Sequence, residues 1–110
     1  MLRPLNYPEG APGSGWIILE TKKCKVAVIN LQGRVFMQPT LDNPFPAITE
    51  LVEKIRQETP VIFLDFHAEA TSEKVAMGWQ LDGKVSAGVG THTHVPTADE
   101  RVLPGGTAYL

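Results

Sequence analysis

The sequence contains a single cysteine, Cys24, so no disulfide can form within the chain. One thiol cannot build a cysteine-based zinc site, and the lack of disulfides favours a reducing compartment. No stretch approaches the ~20 apolar residues that cross a bilayer, and residues 1–16 contain no apolar run of signal-peptide length. These absences predict a cytoplasmic protein without a membrane partner, and they favour a turn or strand edge for Cys24.

The sequence also lacks a large excess of either charge. Acidic and basic residues are mixed along the chain, and the formal net charge is −2. No dense basic stripe is present, so sequence-specific nucleic-acid binding is not expected. The apolar fraction of 43% and the charged fraction of 20% are those of an ordinary globular protein. A chain of 110 residues suffices for one domain, here residues 1–110, and leaves a homo-oligomer open.

The first half of the chain contains the signals of a hairpin and a helix. Two short apolar runs, 16–19 and 26–31, are separated by the polar segment TKKCK, a pattern typical of a β-hairpin. Residues 47–58 have helical spacing and end before Pro60. The apolar face of this predicted helix consists of Ile48, Leu51, Val52 and Ile55.

The second half alternates strands and helices, which indicates an α/β fold. Residues 61–66, VIFLDF, form a nearly continuous apolar run, as expected for a strand that is covered on both faces. A helix over 72–79 is predicted to follow, with Thr71 or Ser72 as its N-cap and Glu73 in its first turn. The remaining predicted elements are a strand over 84–89 and a hairpin of 101–103 with 107–110.

All three histidines fall in two short stretches, DFHAEATSEK and GTHTHV, and each stretch begins where a predicted strand ends. In α/β sheets, ligands bind beyond the carboxyl ends of the strands. His92 and His94 are two residues apart, so in extended backbone they point to the same side, ~6.5–7 Å apart. His67 comes from a separate strand. The pattern favours a metal site, although each histidine alone is more often a hydrogen-bonded side chain than a ligand.

Other charged residues lie near these histidines. Asp65 and Glu69 flank His67, where they either orient an imidazole or cap the following helix. Arg34, in the segment NLQGR, either meets a substrate phosphate or is an ordinary surface arginine, which is the commoner case. The residues alone assign no catalytic side chain and no substrate-binding side chain.

At the two histidine stretches the chain resembles the YmdB-like family of bacterial metallophosphoesterases, within the calcineurin-like superfamily. The likeness extends over RPLNYPEGAPGSG, AVINLQGRVFM, DNPF, DFHAEATSEK and GTHTHVPTADERVLPGGTAYL. The resemblance implies an α/β/β/α sandwich with a dinuclear metal site at the strand ends. It also implies hydrolysis of small phosphodiesters or nucleotides, such as 2′,3′-cyclic nucleotides, by a two-metal mechanism.

The same resemblance implies roles for individual residues. By position in the matching motifs, His67 and His92 would be ligands of one metal, and His94 would be a ligand of the other. Two divalent ions, iron or manganese, are the cofactors expected of a complete enzyme. Neutral imidazoles bind metal, so affinity is expected to fall as the pH drops through ~6.5.

The family's GDxxG, GEN and GNH motifs, which carry its carboxylate and asparagine ligands, do not occur in the sequence. We therefore expect the carboxy-proximal part of a metallophosphoesterase domain, inactive alone, with residues 61–65 as an unpaired sheet edge. One alternative is a non-catalytic metal-binding or interaction module that retains only the histidine ligands. Another is a truncated product with no stable fold of its own.

Overall fold

The computed structural model describes all 110 residues, which form one six-stranded mixed sheet and two helices. The strand order is β1-β2-β3-β4-β6-β5, and the alternation of strands and helices confirms the predicted α/β class. The elements in chain order are β1 (Trp16–Glu20), β2 (Lys25–Gln32), α1 (Pro44–Ile55), β3 (Ile62–His67), α2 (Thr71–Leu81), β4 (Ala87–Thr91), β5 (Arg101–Val102) and β6 (Ala108–Tyr109).

The centre of the sheet is parallel and its two edges are antiparallel. Strand β3 pairs in parallel with β2 on one side and with β4 on the other, and β4 pairs in parallel with β6. The expectation of an unpaired edge at residues 61–65 is therefore wrong, because β3 lies inside the sheet with neighbours on both sides. The edges are β1 and β5, which pair antiparallel with β2 and β6.

The predicted hairpin at the start of the sheet is confirmed as β1 and β2. Its turn is stabilised by the hydroxyl of Thr21, which accepts from the backbone N–H groups of Lys23 and Cys24. Thr21 Oγ1 also donates to the carbonyl of Cys24. Cys24 lies in this turn, in agreement with the prediction of a turn or strand edge, and its side chain is exposed.

Helix α1 buries the apolar face that its spacing predicts: Ile48, Leu51, Val52 and Ile55 are all buried. The helix begins three residues before the predicted start and ends at Ile55. The early start has a local cause, because the side chain of Asn43 accepts from the backbone N–H of Phe45 and caps the helix. Pro44 at the first helical position has no N–H that would need a partner.

Helix α2 starts earlier than predicted and has a different cap. Ala70 is its N-cap residue and makes no side-chain cap hydrogen bond, so the prediction of Thr71 or Ser72 as the N-cap is wrong. Beyond the helix, the N–H groups of Lys84 and Val85 both donate to the carbonyl of Leu81. Because these hydrogen bonds hold Lys84 and Val85 in a turn, β4 begins at Ala87 and not at residue 84.

Both helices pack on one face of the sheet. Ile62, Leu64 and Phe66 of β3 are buried in the same core as the apolar residues of α1 and α2. On the opposite face, Phe63 is 37% exposed and Asp65 is partly buried, so the prediction that β3 is covered on both faces is wrong. On the same face, the edge strand β1 exposes Ile17 and Leu19. One face of the sheet is therefore open and largely apolar.

Neither of the two helices has the length and apolar character of a membrane-spanning segment.

The buried carboxylate of Glu73 connects α2 to the loop that follows β2. Its oxygens accept from the backbone N–H of Arg34 at 2.8 Å and from that of Val35 at 3.3 Å. Gly33 is required beside it, because a Cβ there would lie 2.4 Å from a Glu73 oxygen. The loop then turns through Phe36, which has a φ of 58° and is 89% exposed. Glu73 thus stabilises a turn in which Phe36, a residue other than glycine, has an unfavourable positive φ.

We expect Glu73→Ala to lower the free energy of unfolding by about 2 kcal/mol, because it leaves two partly buried N–H groups without an acceptor. Urea denaturation followed by circular dichroism measures this change. Glu53→Ala, an exposed glutamate on α1, is the matched control and should stay within ~0.5 kcal/mol of the original chain. Equal effects of the two substitutions would contradict this role of Glu73.

Candidate metal centre

His67 is the last residue of β3, and the parallel register aligns it with the last residues of its two neighbours. Gln32 of β2 and Thr91 of β4 are its partners across the sheet. The three strands therefore end together at one edge. This is the carboxyl edge at which the sequence predicts a ligand site.

A chain of hydrogen bonds fixes the ring of His67. Nδ1 of His67 lies 3.1 Å from the hydroxyl of Thr91, and that hydroxyl donates to Oδ1 of Asp65 at 2.8 Å. A threonine hydroxyl has one proton, which is used on the carboxylate, so its oxygen accepts from Nδ1–H of His67. The neutral ring then carries its lone pair on Nε2. Asn30 holds the other Asp65 oxygen by donating to Oδ2 at 2.9 Å.

His92 lies directly beside His67, although it follows a different strand. The two ring centroids are 4.8 Å apart and the rings are nearly perpendicular, at 89°. Nδ1 of His92 is 3.2 Å from Nε2 of His67, and Nε2 of His92 is 3.0 Å from a carboxylate oxygen of Glu69. His92 has a φ of 102°, a backbone conformation that L-residues rarely adopt. The chain bends sharply after β4 to bring this ring to His67.

The surroundings of His67 favour its neutral form. Burial is the main cause that lowers the pKa of His67, and the neighbouring His92 lowers it further. Asp65 acts in the opposite direction, and Lys74 adds a smaller lowering effect. A neutral imidazole is the form that binds metal. The electrostatics therefore agree with the lone pair on Nε2 that the hydrogen bonds require.

The pair of histidines fits one side of a cation site. Nε2 of His67 and Nδ1 of His92 face each other, and the remaining nitrogen of each ring is directed at an oxygen partner. Such outer hydrogen bonds commonly orient metal-ligating histidines. The set is incomplete, because no three histidine, cysteine or carboxylate side chains are arranged to enclose a metal ion.

The remaining predicted residues divide into those near the pair and those apart from it. Asp65 and Glu69 contact the histidine cluster in the way a ring-orienting role requires, Asp65 through Thr91 and Glu69 directly. His94 is exposed in the loop after β4 and does not join His67 and His92 in a three-ligand group. Arg34 is exposed, and its backbone, held by Glu73, is what contributes to the fold.

Two residues of the cluster were not predicted from the sequence. Thr91 connects Asp65 to His67 through the hydrogen bonds of its hydroxyl, and Asn30 of β2 donates a hydrogen bond to Asp65. Asn30 is a polar residue inside the apolar run 26–31, which is the one signal that could have marked it. Thr91 directly precedes HTH and has no comparable signal, since its partners lie on another strand.

Comparison with protein families gives a match along the whole chain. The model of the family described as YmdB-like protein matches residues 1–110. The 2′,3′-cyclic-nucleotide 2′-phosphodiesterase of Bacillus subtilis is 57% identical over 110 residues, covering all of this chain and 41% of the relative. A putative phosphatase/phosphodiesterase of Mycoplasma pneumoniae is 39% identical over 115 residues, covering all of this chain and 40% of the relative.

Two solved structures share the fold. A hypothetical protein from Thermus thermophilus superposes with a TM-score of 0.91 at 48% identity, covering 98% of this chain and 42% of that protein. A novel phosphatase from Mycoplasma pneumoniae superposes with a TM-score of 0.88 at 39% identity, covering 99% and 40%. The chain thus spans about two-fifths of the length of the relatives it matches. Because the family model matches residues 1–110, the chain belongs to the YmdB-like family.

Proposed function

We propose that the chain is part of a metal-dependent phosphodiesterase that hydrolyses small phosphodiesters, and that it supplies the histidine ligands of the metal site. One observation carries this proposal: two imidazoles from different strands direct their nitrogens at each other, 3.2 Å apart, each held by an oxygen partner on its other nitrogen. The likeness to a Bacillus subtilis phosphodiesterase supports the reaction class.

His67 and His92 would hold one divalent metal, through Nε2 and Nδ1 respectively. His94 would serve the second metal, supplied with further ligands by parts of the protein outside this chain. Iron or manganese is the expected metal of a family whose donors are imidazoles and carboxylates. When bound, the metals would neutralise negative charge that develops on the phosphoryl oxygens.

The chain's own residues prepare this site before any metal binds. Asp65, through Thr91, fixes the tautomer of His67, and Glu69 accepts from Nε2–H of His92 when Nδ1 is used as the ligand. Because both rings are held in place, less conformational freedom is lost on metal binding. Asp65 and Glu69 are thus positioning residues in this proposal and do not themselves touch the substrate.

The proposed substrate is a small phosphodiester such as a 2′,3′-cyclic nucleotide, the substrate class in the name of the Bacillus subtilis relative. The site lies at an open sheet edge, in a cytoplasmic setting that the single cysteine favours. We infer no membrane partner and no sequence-specific nucleic-acid partner. A homo-oligomer is compatible with the open apolar sheet face.

The isolated chain should bind at most one divalent ion and should not hydrolyse phosphodiesters. Its histidines are neutral ligands, and two cations ~3.5–4 Å apart repel strongly without an anionic bridge. No third ligand is in place beside His67 and His92. The same incompleteness favours the second candidate function, a metal-binding or interaction module without catalysis, which keeps only the histidine ligands.

We expect His67→Ala and His92→Ala each to abolish binding of Mn²⁺ by the chain, while His94→Ala leaves it unchanged, because only the first two rings face each other. Titration followed by the electron paramagnetic resonance of free Mn²⁺ measures the bound fraction. Circular dichroism of each variant shows whether the fold is retained. Loss of binding in His94→Ala alone would show that the ligands of the first metal are misassigned.

Turnover can be tested by replacing the matching 110 residues of the Bacillus subtilis relative with this chain. In this chimera we expect His92→Ala to lower turnover of a 2′,3′-cyclic nucleotide by orders of magnitude, because a ligand is lost. Glu69→Ala, which removes only the partner of His92, should cost roughly 10–100-fold.

The control substitution is Glu100→Ala, an exposed residue that should leave turnover unchanged. Equal losses in His92→Ala and Glu69→Ala would contradict the assigned roles. A chimera that binds metal without hydrolysing the substrate would favour the non-catalytic module.

A further inference from the structure

Gln32 is the one buried glutamine of the chain, and it lies beside His67 at the carboxyl edge of the sheet. It is the last residue of β2 and the register partner of His67 on β3. The next backbone N–H, that of Gly33, donates to the carbonyl of His67 at 2.9 Å. Neighbouring strands of a sheet are ~4.8 Å apart, so the two side chains start from adjacent backbone positions.

The side chains of Gln32 and His67 also extend from the same face of the sheet. Asn30, two residues before Gln32, donates to Asp65, which lies two residues before His67. Alternate residues of a strand point to the same face. Gln32 is therefore on the open face, in line with His67 and next to the histidine pair.

Most of the hydrogen-bonding groups of Gln32 are paired by residues from other segments. Its backbone N–H donates to Oδ1 of Asn6 at 3.1 Å, and its carbonyl accepts from Nδ2 of Asn6 at 2.8 Å. In the side chain, Nε2 donates to the carbonyl of Pro39 at 3.0 Å. Because a carbonyl can only accept, this contact decides which end of the amide is nitrogen and which is oxygen.

The remaining group, Oε1 of Gln32, has no partner within the protein. Every fully buried side-chain nitrogen or oxygen of the chain has a hydrogen-bond partner, so this oxygen reaches the surface although the residue is only 7% exposed. On the other side of His67, the hydroxyl of Thr91 is already used on His67 and Asp65. Gln32 thus presents a fixed, unused acceptor beside the proposed ligand. A group held in place in this way loses little conformational freedom on binding.

An amide oxygen accepts hydrogen bonds and cannot donate them, which limits what it can contact in a phosphodiester. The phosphoryl oxygens of an anionic phosphodiester are also acceptors and would be repelled. In a 2′,3′-cyclic nucleotide, the O–H and N–H donors lie on the ribose and the base. The free acceptor therefore fits the nucleoside part of such a substrate and not its phosphoryl group.

We propose that Oε1 of Gln32 accepts a hydrogen bond from a hydroxyl or amino group of the nucleoside, an inference that rests on the proposed function. The donor end of the amide stabilises the loop after β2 through Pro39, and the acceptor end contacts the substrate. Gln32 is then a specificity residue, which distinguishes nucleotides from phosphodiesters that carry no donor.

Kinetics in the chimera test this role with two substrates. Gln32→Met removes the acceptor and should lower kcat/KM for a 2′,3′-cyclic nucleotide by roughly 3–10-fold, as expected for one neutral hydrogen bond. The loss should appear in KM, because the contact is also made in the ground state. For bis(p-nitrophenyl) phosphate, which has no O–H or N–H donor, kcat/KM should be unchanged. Gln80→Met, which likewise removes an amide that donates to a backbone carbonyl, should not alter the ratio between the two substrates.

The outcomes separate this inference from the proposed function. Equal losses on both substrates in Gln32→Met would show a purely structural role and overturn the specificity contact. Loss of Mn²⁺ binding in the same variant would show that the oxygen is a metal ligand, which also overturns it. A chimera that hydrolyses neither substrate before any substitution would overturn the proposed function itself.

The original chain provides a test that needs no variant to fold. In the nitrogen-15 correlation spectrum with Zn²⁺ present, a 2′,3′-cyclic nucleotide should shift the side-chain amide signals of Gln32. Bis(p-nitrophenyl) phosphate should not shift them, and the exposed Gln57 should respond to neither compound. A nucleotide that shifts the backbone N–H of His92 and leaves the Gln32 amide unchanged would contradict the proposal.

Discussion

The single proton of the Thr91 hydroxyl is the constraint on which the candidate metal centre depends. Because that proton is donated to Asp65, the oxygen can only accept from His67, and the lone pair of the His67 ring is forced onto Nε2. Asn30 holds the same carboxylate from the neighbouring strand. The parallel register of β2, β3 and β4 brings these residues together, so the sheet itself sets the tautomer of the first proposed ligand.

Two consecutive side chains of helix α2 contact different parts of the sheet. Glu73 accepts from the loop after β2, and Lys74 crosses β4. Each needs a glycine where it passes the backbone: Gly33 beside the carboxylate and Gly90 beneath the lysine. The helix thus stabilises the loop after β2 through Glu73, and the side chain of Lys74 lies across β4 and contacts Thr93.

Much of this arrangement is visible in the sequence because it is local. The spacing of Ile48, Leu51, Val52 and Ile55 identified the buried face of α1, and the position of His67 after an apolar run placed it at a strand end. The family resemblance was confirmed by the match over the whole chain. The ligand roles of His67, His92 and His94 remain predictions, supported for the first two by their contact.

What the sequence did not reveal depends on contacts between distant segments. The relay through Thr91 requires the register of β3 against β4, and the open face of β3 depends on both helices packing on the same side. The late start of β4 follows from turn hydrogen bonds to Leu81, and the central position of β3 from its pairing with β4. None of these is encoded in the periodicity of a single segment.

The account is tested most directly by the nitrogen-15 NMR spectrum of the imidazole rings in the chain. Without metal, we expect His67 to carry its proton on Nδ1 and its lone pair on Nε2. Addition of Zn²⁺, a diamagnetic substitute for manganese or iron, should shift Nε2 of His67 and Nδ1 of His92 together. A proton on Nε2 of neutral His67, or zinc-induced shifts confined to His94, would contradict the proposed centre.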